Sequence, residues 1–361
     1  NTKLYICIMS KRVLITGITG QDGAYLAQLL LKKGYRVFGT YRRLSTPNFW
    51  RLKYLGIEKE VNFIPADLSD QSSIIESIKQ SRPDELYNLA AQSYVGASFD
   101  QPIISGEITG IAVTKILESI RIINPKIKFY QASSSELYGN TPYSILDENT
   151  PFHPRSPYAV AKLYSFWMSK IYRDGYNMFC SNGILFNHES PLRGLEFVSR
   201  KISDGVARIK LGISKKLTLG NLDSQRDWGF APEYAEGMWK ILQQRKPDDF
   251  VLATGEKHTV KEFAELAFNH VNLDWKKYVK TDKKLFRVLE VNQLKGNTKK
   301  SKKILKWNPK TKFEKLVRIM VDEDMKRWTL FKNGKHFPWD SFNYIEEEKI
   351  LFQRYLKTNK Q

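Results

Sequence analysis

The chain has 361 residues, 42% of them apolar, which excludes a disordered chain and is more than most single cores hold, so two domains or one elaborated α/β domain are expected. Its two cysteines, Cys7 and Cys180, lie far apart, which argues against a disulfide framework or a metal site and fits a reducing, cytoplasmic compartment. The formal charge of +20 would suit nucleic acid, a membrane surface or an acidic small molecule, but no nucleic-acid motif accompanies the basic runs, densest in "KGNTKKSKKILKWNPKTKFEK", and the excess is read as a solvated face.

Near the start, "LYICIM" is too short to span a bilayer and lacks a small-residue cleavage site, so no membrane anchor or signal peptide is expected; Met9 is read as a candidate start. "KRVLITG" predicts a buried strand that stops at a glycine. "QDGAYLAQLLLKKGY" carries Tyr25, Leu26, Leu29 and Leu30 at helical spacing and ends at Gly34. Strands are expected at "RVFGT", "VNFIPAD", "DELYNLAA", "IKFYQASSS" and "MFCSNGILF", with helices over 69–80, 104–122 and 157–174 between them. Alternation of this kind predicts a Rossmann-like, doubly wound parallel sheet, with ligands at the carboxyl ends of its strands. Residues 10–185 are expected to form this dinucleotide-binding unit, with strand contributions from later segments. A smaller α/β substrate lobe is expected over 186–330, and 331–361 reads as a C-terminal tail, with a docked helix as one reading of it.

Each motif falls just after a strand. "GITGQDG" places Gly17, Gly20 and Gly23 between strand and helix, where glycine lets the backbone approach a pyrophosphate and the helix start offers free N–H groups. "TYRRLS" puts Arg42 and Arg43 where an NAD enzyme usually has an acidic residue, so a 2′-phosphate, and with it NADP, is favoured. In "ADLSD", Asp67 reads either as an adenine contact or as the cap of the next helix. Tyr158 and Lys162 are four apart on one helical face, where the ammonium is expected to lower the phenol's pKa for proton exchange with a sugar hydroxyl. Ser134 can bond the same hydroxyl. Glu136 has no use in plain oxidation; it is needed if a proton must leave the carbon beside a new ketone.

With these residues, the chain resembles the extended short-chain dehydrogenase/reductases and, within them, the GDP-mannose 4,6-dehydratase family. The resemblance runs from about Lys11 to Trp328 through "GITGQDGAYLA", "YNLAAQSYVGASF", "FYQASSSELYG", "PRSPYAVAKLY", "GILFNHESPLRG", "LGNLDSQRDWG" and "VLATG". It implies NADP contacts from Gly17, Ile18, Thr19, Gly20, Gln21, Asp22, Gly23, Arg42, Asp67, Leu68, Leu89, Ala90, Ala91, Gln92, Ser93, Lys162, His188 and Arg193. It implies a catalytic set of Ser134, Glu136, Tyr158 and Lys162. Contacts to the GDP-sugar are implied for Ser93, Asn187, Val198, Lys201, Gly220, Arg226, Arg287 and Glu290. A homodimer or homotetramer is implied too, through the Arg42–Arg43 loop. Two positions depart from the family: serine stands at 134 where threonine is usual, and "FRVLEV" has Val288 where proline is usual. The second departure leaves a related sugar such as GDP-D-glycero-D-manno-heptose as an alternative substrate. An NADP-dependent nucleotide-sugar epimerase or reductase shares Tyr158 and Lys162, and an NADP-sensing regulatory protein is the non-enzyme alternative.

Overall fold

The structure is a computed structural model that describes residues 10–45 and 48–335. The expectations on Cys7, on Met9 with the stretch before it, and on the tail beyond residue 335 lie outside the described residues.

The predicted strands form as β1 (Arg12–Thr16), β2 (Arg36–Tyr41), β3 (Asn62–Pro65), β4 (Glu85–Asn88), β5 (Lys128–Ser134) and β6 (Cys180–Leu185). A seventh strand, Phe250–Leu252, joins beside β6 from the "VLATG" stretch. All pair in parallel, and β1 lies between β2 and β4, so the sheet runs from the Phe250 strand through β6, β5, β4, β1 and β2 to β3. The winding direction reverses between β1 and β4, and that crevice is where an open α/β sheet takes its ligand.

Side-chain alternation assigns the two faces. Val13, Ile15, Tyr87 and Tyr130 pack with the helices Gln21–Lys32 and Ala231–Leu242. Leu14, Leu86, Phe129 and Cys180 pack on the other face with Gln71–Ser81 and Ala112–Ile123. Burial on both faces explains why these strands read as continuous apolar runs.

One helix departs from expectation. The stretch predicted as continuous over 104–122 contains a π-turn at Glu107–Ile111. The wider turn frees the Thr109 carbonyl, which accepts from Ser165 Oγ at 2.6 Å, while Thr109 Oγ1 accepts from Gln92 N at 3.1 Å. The irregularity thus props up the loop after β4.

A further apolar cluster lies outside the sheet, where Ile202, Val206, Phe263, Phe268, Leu316 and Met320 pack from the helices Val198–Lys210, Val260–His270 and Phe313–Lys332. Asp227 ties this region to the sheet edge. Its carboxylate accepts from Thr254 N, Thr254 Oγ1 and Gly255 N, each within 2.8 Å, and from Gly296 N at 3.3 Å.

Candidate active site

The glycine-rich turn follows β1 directly. Gly17 sits at φ +70°, and a Cβ there would come within 2.8 Å of the Ala90 backbone. A Cβ at Gly23 would collide with the Gly17 carbonyl and lie 2.6 Å from Ile18 Cα. These two glycines therefore make the close approach of loop, helix and β4 possible. Gly20 N donates to Gly17 O at 3.0 Å, and the helix Gln21–Lys32 starts with no side-chain cap, leaving amides for an anion. Such a cradle fits a dinucleotide pyrophosphate.

The neighbouring strand ends are locked by a polar ladder. Thr16 Oγ1 donates to Asn88 Oδ1 at 2.6 Å, Asn88 Nδ2 donates to Gln131 Oε1 at 2.8 Å, and Ala90 N donates to Thr16 Oγ1 at 3.2 Å. Leu89 to Ser93 thereby run across the crevice, and the buried Gln92 Oε1 has no partner there. Arg42 is exposed at the end of β2, close enough to Asp67 to help hold its carboxyl low, after the hydrogen bonds from Ser69. Those bonds, from Ser69 N at 2.9 Å and Ser69 Oγ at 2.7 Å, make Asp67 a turn residue; the helix cap is Asp70. Leu68 beside it is buried.

Asp22 and His188, more than 160 positions apart, form an ion pair of 2.8 Å. His188 Nδ1 lies 2.7 Å from the Phe186 carbonyl. Both oxygens can only accept, so both ring nitrogens donate and the imidazole is cationic. Burial opposes each charge, yet the pair holds Asp22 down at about 2 and raises His188. Gln21 binds the same two residues and accepts from Ser190 Oγ. Arg193 pairs with Glu189 at 3.0 Å and lies 3.6 Å over the Phe197 ring. Arg51, which sequence reasoning missed, staples this loop to the glycine turn by donating to Thr19 O and Leu192 O. It sits on a short helix without any motif, so nothing in the sequence signals it.

β5 ends at Ser134, whose hydroxyl accepts from Glu136 N and starts a short turn, Ser135–Leu137. The chain then folds back on itself. His153 N donates to Leu137 O at 3.0 Å, and only a glycine at 139, with φ +55°, leaves room for the His153 carbonyl. That return places the helix Pro157–Tyr176 beside the turn. Ser156 caps it by accepting from Ala159 N, and Pro157 occupies its first position. Tyr158 and Lys162 both face inward and are buried.

The expected effect of Lys162 on Tyr158 is not what the structure shows. Lys162 Nζ donates to the Ala132 carbonyl at 2.7 Å and stands 5.9 Å from the phenol ring centre. Burial drives Tyr158 up to about 12, against a hydrogen bond to Ser134, and pushes Lys162 down to about 8. The ammonium is spent on orienting its own side chain against β5.

Glu136 is buried and pairs with Arg287 through Nη1 at 3.1 Å. Burial opposes its charge, but Arg287 and Arg226 keep its carboxyl low. Arg226 is itself buried and donates to Gln225 O and Val291 O; burial brings it down to about 10. Glu290 Oε1 accepts from Arg287 N at 2.8 Å. Gly220 lies under the Leu285 carbonyl, which a Cβ would approach to 2.9 Å. Asn187 begins a short strand paired with Trp228–Phe230, and Val198 and Lys201 lie at the start of an uncapped helix. Burial lowers Lys201. Gly17 to Gly23 thus follow β1, Leu89 to Ser93 follow β4 and Ser134 ends β5, all at the carboxyl ends of their strands. Sequence reasoning had no means of pairing Asp22 with His188 or Glu136 with Arg287.

A glycine-cradled helix start at the β1/β4 crevice, with an inward tyrosine–lysine pair beyond β5, defines an extended short-chain dehydrogenase/reductase. Solved structures share this fold. UDP-glucose 4-epimerase from Thermus thermophilus, in complex with NAD, superposes with a TM-score of 0.77 at 23% identity, covering 87% of this chain and 98% of that one. The dTDP-glucose 4,6-dehydratase from Bacillus anthracis, in complex with NAD, gives 0.77 at 21% identity, with 90% and 100% covered. The chain belongs to the GDP-mannose 4,6 dehydratase family, whose profile matches residues 14–320. It is 49% identical over 325 residues to GDP-mannose 4,6 dehydratase 1 of Arabidopsis thaliana, covering 87% of this chain and 90% of the relative. It is 45% identical over 338 residues to GDP-mannose 4,6 dehydratase of Homo sapiens, covering 86% and 91%.

Proposed function

We propose that the protein converts GDP-D-mannose to GDP-4-keto-6-deoxy-D-mannose with NADP as its cofactor. The observation that carries this reading is the buried carboxylate of Glu136, two residues past Ser134 and close enough to Tyr158 to act on its charge. Family membership supports the same reaction. Residues 10–185 hold the nicotinamide cofactor, through Gly17 to Gly23, Arg42, Asp67, Leu68, Leu89 to Ser93 and Lys162, joined by His188 and Arg193 from the segment that follows. Arg42 and Arg43, standing after β2 where an acidic residue would mark an NAD enzyme, favour NADP over NAD. Residues 186–330 supply the nucleotide-sugar contacts: Asn187, Val198, Lys201, Gly220, Arg226, Arg287 and Glu290, with Ser93 from the crevice.

When bound, the nicotinamide supplies the hydride acceptor and donor, and its oxidised ring adds positive charge that favours the Tyr158 phenolate. Tyr158, assisted by Ser134, takes the proton of the sugar C4 hydroxyl as the C4–H bond is oxidised to the ketone. That ketone acidifies C5–H. Glu136 removes the C5 proton and delivers it to the C6 hydroxyl, so water leaves and a C5=C6 double bond forms. C6 would then be reduced by the hydride taken from C4, and C5 gains a proton while Tyr158 gives up the one it took from the C4 hydroxyl, so that one water is the net loss. The redox change is internal, and each acid–base group is worth about 10²–10⁴ in rate.

The test is incubation with GDP-D-mannose, GDP-D-glycero-D-manno-heptose and other GDP-sugars, with NADP⁺ or NAD⁺, reading product mass. Loss of one water from GDP-mannose is expected, with NADP⁺ the better cofactor. Glu136→Gln is expected to lower the rate at least ~10²-fold. Product of unchanged mass would favour an epimerase and overturn the dehydratase.

The proposal extends to a cytoplasmic homo-oligomer without nucleic-acid or membrane partners. Among the described residues, no helix is long and apolar enough to cross a membrane. On the helix Pro157–Tyr176, Val160, Tyr164, Trp167 and Ile171 form an exposed apolar stripe beside the exposed Ile104 and Ile111, a face suited to a second copy of the chain.

A further inference from the structure

Glu136 faces two guanidinium groups that are held very differently. Arg226 is 6% exposed and anchored by two backbone carbonyls. The Arg287 side chain is 33% exposed and rises from an open segment in which Phe286, Val288 and Leu289 also stand exposed. The only carboxylate near it on that segment, Glu290, spends an oxygen on the Arg287 backbone N–H. Asn140 clips the segment to the turn that carries Glu136: its Nδ2 donates to Glu290 O at 2.8 Å, and its Oδ1 accepts from Asn292 N at 3.0 Å. The other titratable groups facing this cluster are Tyr158, toward Glu136, and Tyr94, toward Arg287.

A carboxylate between two guanidinium groups is a weak base, whereas elimination needs a strong one. One partner must let go, and only Arg287 has a solvent-facing side from which an anion can draw it. A diphosphate carries more charge than a carboxylate and matches the guanidinium fork equally well. We propose that Arg287 is a positioning residue that latches Glu136 in the free enzyme, and that the diphosphate of the incoming nucleotide sugar draws its guanidinium away, freeing the carboxylate as a base only in the loaded site. This rests on the dehydratase reading, and it makes basicity conditional on the anion whose sugar is to be processed.

The latch has two readouts. Acid–base groups of the free enzyme shape kcat/KM against pH, and those of the loaded enzyme shape kcat. The acidic limb of kcat/KM is expected at lower pH than that of kcat, and Arg287→Gln should move the first up toward the second, with Arg287→Lys in between. The other readout needs no turnover. Saturating GDP, titrated calorimetrically in buffers of different ionisation heat, should draw a proton onto the wild type that Glu136→Gln and Arg287→Gln do not take up. Circular dichroism and melting curves show that the variants are folded. Coincident acidic limbs, or proton uptake that persists in Arg287→Gln, would overturn the latch. Uptake without any loss of water from a GDP-sugar would instead leave the latch standing and sink the dehydratase reading.

Discussion

Asp22 and His188 show how single residues become informative only as a pair. Their sign structure makes a pH prediction. His188 is raised above its ordinary value of 6.5, so its contribution to stability is full below that value and is lost as pH rises through the folded one. Asp22 is lowered from 3.8 to about 2, so its contribution is present above 3.8 and is lost as pH falls toward 2. The melting temperature of the cofactor-free protein should therefore decline on the alkaline side of 6.5 and again below 4. In Asp22→Asn both declines should flatten. An unchanged alkaline decline in that variant would show that the pair is not its source. The same reasoning corrects the simplest view of Tyr158 and Lys162. Their spacing is right for contact, but the ammonium faces a carbonyl and the phenol is dominated by burial.

The element that matters most is the helix Pro157–Tyr176, which aims two site residues from its first two turns. Its start is set by Ser156 and Pro157, and its placement by the return of the chain against Leu137. Ser156→Ala should cost about 1 kcal/mol in chemical denaturation. It should also lower kcat more than it raises KM, because the fraying end carries Tyr158 rather than a substrate-binding surface. A variant with unchanged kcat would show that neighbouring packing alone holds the tyrosine. Elsewhere, helix continuity failed where it served the site. The π-turn at Glu107–Ile111 contains Thr109 and Gly110, both weak helix formers, but what fixes it there is remote: Ser165 and Gln92.

At the scale of the whole molecule, the apolar stripe on the same helix predicts self-association. Val160 is 56% exposed, Trp167 49% and Ile171 52%. Trp167→Glu should weaken a dimer at least ~10-fold, or about 1.4 kcal/mol, in sedimentation at micromolar concentration. An unchanged sedimentation profile would move the interface elsewhere. The charge of +20 finds partial use: Arg226 and Arg287 both act on Glu136 at the proposed nucleotide-sugar site, where an anion would bind, while many other basic residues lie at the surface.

The sequence by itself determined the layered α/β class, the six strands of its first half, the glycine turn and the residue types of the site. These are local matters: period, turn chemistry and the register of a motif on its strand or helix. Tertiary structure alone decided that the seventh strand is Phe250–Leu252, and which charges meet. The partners of Asp22 and Glu136 lie 166 and 151 positions away. No short-range pattern reaches that far. Burial then reverses or amplifies the electrostatics that spacing suggests, because the cost of charge depends on what surrounds it and not on its place in the chain.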